Sequence, residues 1–97
     1  MIVIKHTENH ISIKGHANYD VIGKDIVCSA VSILIQTLIQ SIEELTADKI
    51  KYSMSAGNVD IEYRNLSEKS KTLLDSFFVG LKMIADEYPN NVKLSKH

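Results

Sequence analysis

Ninety-seven residues, 44% of them hydrophobic and 24% charged, suffice for one domain around one core and fall short of two. Four glycines and one proline fit a globular chain and exclude a disordered or collagen-like one. Eleven Lys and Arg against twelve Asp and Glu leave a net charge of −1, too little basic field to hold a phosphate backbone, so no direct nucleic-acid partner is expected.

The chain opens on two runs rich in Ile and Val, Met1–His6 and His10–Gly15, separated by turn material; the second alternates Ile11 and Ile13 with Ser12 and Lys14. This pattern predicts a hairpin. After a loop through residues 17 to 24, Asp25 suits an N-cap, because its carboxylate can accept from the free amides that follow. A helix is predicted from Ile26 to Leu45, with Val27, Val31, Leu34, Leu38, Ile42 and Leu45 on its core stripe. Ser29, Ser32, Gln36, Thr37, Gln40, Ser41, Glu43 and Glu44 interrupt it, so it is read as a helix in water, with no membrane partner. No signal-like leader opens the sequence and one cysteine forms no internal disulfide, so a cytoplasmic location is expected.

A second hairpin is predicted from Ile50–Met54 and Val59–Tyr63, with a turn at Ala56–Gly57–Asn58. Asn65 or Ser67 then caps a second helix, in which Leu73, Phe77, Leu81, Ile84 and Tyr88 recur at helical spacing until Pro89 ends it. Residues 91 to 96 make a short last strand. The expected fold is α+β: a single domain over residues 1–97, a mostly antiparallel sheet with two helices on one face, in the order ββαββαβ.

Chemistry gathers around the single cysteine, Cys28, which would be the third residue of the first helix. Unpaired amides and the helix dipole favour a thiolate there, while the charge of Asp25 opposes it. On the wheel Cys28 sits between the apolar stripe and the polar row Ser29, Ser32, Gln36 and Gln40, within reach of solvent. The residues alone leave two readings: a nucleophile, or a small packing residue. His16 is likewise a base for the thiol or a turn histidine. Gly15 and Gly23 read as a sharp strand exit and a flexible loop point, or as ordinary turn glycines; Ser32, one turn beyond Cys28, supports a substrate or merely solvates the helix. His6, His10 and His97 show no metal-ligand spacing, so neither metal nor cofactor is expected.

Gly15-His16-Ala17, then Gly23, Asp25, Ile26, Val27, Cys28 and Ser32, with twelve positions from His16 to Cys28, resemble the ribosomal-processing cysteine protease family, Prp. Length, element order and the ending Glu87–Leu94 are similar as well; Ser29 replaces a more usual small apolar residue. The resemblance implies a homodimeric cytoplasmic endopeptidase that removes the N-terminal extension of ribosomal large-subunit protein twenty-seven, cutting after a pair of aromatic residues. It implies Cys28 as nucleophile and His16 as base, with Ser32 in support and the loop after His16 as a mobile cover. Amides at the start of the helix are expected to hold the oxyanion. Ile26, Ala30 and Ile33 form a second apolar patch on the first helix, which fits a dimer. The alternatives are a non-enzymatic, ribosome-associated adaptor that grips the same peptide and, third, a redox sensor acting through Cys28.

Overall fold

The computed structural model describes residues 1–21 and 23–96; Ile22 of the expected loop and His97 lie outside the described residues. Strands β1 (Ile2–His6) and β2 (His10–Lys14) form the first hairpin, with Ile4 opposite Ile13 and His6 opposite Ile11. Their alternation sorts the two faces: Ile2, Ile4, Ile11 and Ile13 are buried, whereas Lys5 and Lys14 face water. Strands β3 (Ile50–Ser55) and β4 (Asn58–Tyr63) form the second hairpin, around a two-residue turn at Ala56 and Gly57. Strand β5 (Val92–Lys96) runs parallel to β1, which makes the sheet mixed, in the order β3-β4-β2-β1-β5. On the open face Asp60 accepts from Lys14 Nζ at 3.1 Å and pairs with His10 Nε2 at 3.0 Å.

Helices α1 (Ile26–Leu45) and α2 (Glu68–Glu87) cover the other face and pack on each other. α1 is long and apolar enough to cross a membrane by composition, yet Val27, Val31, Ile35, Leu38, Ile39 and Ile42 are buried within this fold. Two members of its expected stripe differ. Leu34 turns to the seam with α2, where the missing side chain of Gly80 makes room: a Cβ there would lie 3.0 Å from Leu34 Cδ1. Leu45, at the helix end, is exposed, and Ile35 and Ile39 join the buried stripe. A helix packed against both a sheet and a helix has two contact directions, which one projected stripe does not separate.

α2 starts at Ser67, whose Oγ accepts from Ser70 N at 3.4 Å; Asn65 instead sits at φ 52 in the preceding loop. Phe77 and Leu81 are buried as the periodicity predicts, while Leu74 replaces Leu73, and Ile84 and Tyr88 are half-buried. Tyr88, before Pro89, is the C-cap and donates its amide to Ile84 O at 2.8 Å.

Candidate active site

Beyond β2 the chain turns sharply at Gly15, whose φ of +99° favours glycine; a Cβ there would lie only 2.2 Å from Met1 O. Gly15 donates its amide to Gly57 O at 2.9 Å, fastening the strand exit to the β3–β4 turn. His16 follows directly, and its ring lies over Gly57: a Cβ on that residue would come within 2.7 Å of His16 Nε2. Gly57 is therefore part of the floor under the imidazole. A side chain at Gly57 would force the ring to move.

Ala17 is buried, and its backbone is held from both sides. Its amide donates to Cys28 Sγ at 3.4 Å, and its carbonyl accepts from Asn91 Nδ2 at 2.9 Å. The segment carrying His16 is thereby pinned beside the thiol. Cys28 is half-buried and, as the third residue of α1, lies at the seam anticipated from the helical wheel. His16, Cys28, Gly15, Ser32, Met54 and Gly57 help to line one pocket of about 240 Å³. A larger cleft, about 700 Å³, opens near His6, Arg64 and Phe78 and holds no thiol. The structure thus brings Cys28, His16, Gly15 and Ser32 together.

Asp25 faces the backbone. Oδ1 accepts from Val27 N at 3.0 Å and Cys28 N at 2.9 Å, and Oδ2 accepts from Tyr19 N at 3.0 Å and Asp20 N at 3.3 Å. Burial by itself raises the Asp25 pKa, but the backbone N–H donors outweigh it and hold the carboxyl below its ordinary value. This residue is a helix cap that also ties down the start of the loop. The same bonds correct the expected oxyanion site: the amides of Val27 and Cys28 are committed to Asp25, and Ser29 N donates to Asp25 O at 3.1 Å. The amide aimed at the sulfur is that of Ala17.

Gly23 stands apart from the pocket, at φ +90° with open space around it. Val21 and Lys24 are exposed, and Lys24 N donates to Val21 O at 3.0 Å. Gly57, Asn91 and Met54 escaped the sequence reading. The signal for Gly57 was visible only as a turn glycine, and nothing local marks Asn91 or Met54 as belonging beside a thiol.

A half-buried thiol at a helix start, with a histidine on the adjoining strand exit, defines a site built for cysteine chemistry. The family model described as cysteine protease Prp matches residues 1–93, and the chain belongs to that family of cysteine proteases. It is 29% identical over 98 residues to the ribosomal processing cysteine protease Prp of Mycoplasma genitalium, covering 99% of this chain and 96% of that one. To the protein of the same description from Staphylococcus aureus it is 29% identical over 84 residues, covering 84% and 79%. The crystal structure of the essential ribosomal processing protease Prp from S. aureus, in complex with a covalently linked product peptide, superimposes with a TM-score of 0.90 at 22% identity. That match covers 99% of this chain and 97% of the other and bears out the ββαββαβ fold.

Proposed function

We propose that this chain is an endopeptidase that removes the N-terminal extension of the precursor of ribosomal large-subunit protein twenty-seven, with Cys28 as nucleophile and His16 as general base. The observation that carries the reading is the shared pocket: the two side chains line one cavity, and the residue following His16 donates its amide to the thiol sulfur. The relatives' description as ribosomal processing proteases supports the substrate class.

In this mechanism His16 takes the Cys28 proton, and Sγ attacks the scissile carbonyl carbon. The carbonyl electrons move onto oxygen, and the Ala17 amide, next to the sulfur and free of Asp25, is the donor placed to receive that charge. The C–N bond then breaks, and the leaving amine takes the proton from His16. Water, deprotonated by His16, attacks the thioester and releases the new C-terminus and the thiol. Ser32 borders the path of the substrate. The expected cover does not extend to Ala17, Tyr19 and Asp20, which are tied down by Asn91 and Asp25.

The proposal includes a cytoplasmic homodimer. Ile26 and Ile33 on α1 are 57% and 59% exposed, and Val79 and Met83 on α2 are 61% and 67% exposed, which leaves apolar helix surface for a second copy. The test is to incubate the protein with the precursor and weigh the product: loss of the extension, abolished in Cys28→Ala, supports the reading. Binding without any cut would make the chain an adaptor.

A further inference from the structure

The two edges of the sheet are dressed differently. β5 lies against α2 and carries the exposed Lys93 along its short run. β3 is an edge strand in which all residues after Ile50 are exposed. Lys51 is its one charged side chain; it has no proline, and six consecutive pairings with β4 leave no bulge. Natural sheets usually guard such an edge, because its free N–H and C=O groups recruit another strand.

The hydrogen bonding shows which residues offer those groups. Gly57 O accepts from Gly15 N and Tyr63 N donates to Asn9 O, so the odd-numbered residues of β4 direct their backbone toward β2. The even ones, Asn58, Asp60 and Glu62, therefore bond to their partners Ser55, Ser53 and Lys51 on β3. On β3 this leaves Tyr52 and Met54 with amide and carbonyl pointing out from the free edge. Their side chains lie on the helix-covered face, opposite Ile61 and Val59, yet remain 48% and 43% exposed. Met54 and Ser55 also belong to the wall of the pocket that holds Cys28 and His16.

We propose that the substrate peptide docks as an added strand on the free edge of β3, pairing its main chain with Tyr52 and Met54 and resting side chains on those two residues. This places the scissile bond in the pocket where the strand ends. It rests on the peptidase reading and deepens it: recognition is chiefly of an extended main chain, with apolar side chains on alternate residues favoured by Tyr52 and Met54. The continuity of β3 with the catalytic pocket argues for a peptide as the occupant in place of a second copy of the chain.

The test is a binding scan with Cys28→Ala protein, which does not depend on turnover. Synthetic peptides spanning the processing point of the precursor carry one N-methyl group each, at successive residues. Pairing with an edge predicts an alternating profile, in which methylation at every second residue weakens binding about tenfold and the intervening positions change it little. Tyr52→Pro should weaken the unmodified peptide similarly while β3 stays folded, since the lost N–H points away from β4. A flat methylation profile, or no binding of the unmodified peptide, overturns the proposal. So does a Tyr52→Pro protein that turns monomeric yet binds the peptide as before, which would assign the edge to self-association. Cleavage of the precursor by the unaltered protein is scored separately, so a flat profile with intact cleavage rejects the edge alone.

Discussion

Both helices begin in the same way, and only one begins at a reactive group. Asp25 caps α1 and Ser67 caps α2, so Cys28 and Ser70 occupy the same place, three residues after the cap. Ser70 is fully buried, with its hydroxyl donating to Asp48 Oδ2 and lying 3.3 Å from Thr46 Oγ1; Asp48 also accepts from Ser67 N at 2.9 Å and Ser67 Oγ at 2.6 Å. That start is a closed knot. At the start of α1 the carboxylate binds only backbone, and the third residue is left to face a pocket, an amide and a histidine. The comparison teaches that the helix start supplies a position; the strand exit beside it makes the position chemical.

The largest expected effect tests this contrast directly. Cys28→Ala should leave the far-ultraviolet circular dichroism unchanged and lower precursor cleavage by at least about 10³-fold. Ser70→Ala should do the opposite: cost about 1–3 kcal/mol in denaturant unfolding, through the bonds lost with a buried hydroxyl, with little change in turnover per folded molecule. If Cys28→Ala is badly destabilised and Ser70→Ala is not, the two sites have been assigned the wrong way round.

Next in size is His16→Ala, which should slow turnover about 10²–10⁴-fold while Cys28 remains open to alkylation. Turnover near that of the unaltered protein would remove the imidazole from the mechanism.

A smaller effect is expected at Gly57. Asparagine tolerates the φ of +70° found there, so Gly57→Asn keeps the turn but brings a Cβ against the His16 ring. Turnover should fall about tenfold or more, with the pH profile of Cys28 alkylation shifted toward that of His16→Ala. An Asn variant with unchanged kinetics and an unchanged profile would show that the ring does not depend on this floor.

These residues show where local pattern stopped being informative. The hairpins, both helices and the Asp25 cap were legible because period-two and helical spacing, and a short polar side chain ahead of an apolar run, are local signals. His16 and Cys28 were legible through their spacing and the family resemblance. Gly57 reaches His16 only because β4 pairs with β2, and Asn91 reaches Ala17 across 74 positions. Such contacts follow from strand order, which no local spacing encodes. For the same reason the choice between Leu34 and Ile35 for the buried stripe waited on the position of α2.

The smallest predicted effect concerns acid. At Asp25 burial raises the pKa and the backbone donors more than reverse it; at Asp48 bonds from Ser67 and Ser70 lower it. For a carboxyl lowered by folding, the stabilisation is complete above the unfolded value of about 3.9 and disappears as pH falls through the lower, folded value. Melting temperature should therefore drop as pH falls below about 4. Asp25→Asn and Asp48→Asn should each flatten that limb, and a slope unchanged in both variants would contradict the role of the caps.

Gly15 carries a practical consequence. Its missing side chain lets Met1 O lie against the strand exit that bears His16, and Ile2 helps to line the pocket that holds Cys28 and His16. The end of β5 lies beside His6, at the opposite end of the sheet. An affinity tag joined ahead of Met1 would therefore leave the fold at the mouth of that pocket, where an extended segment can compete with a bound peptide. The same tag joined after the last strand would emerge at the far end and leave the mouth open.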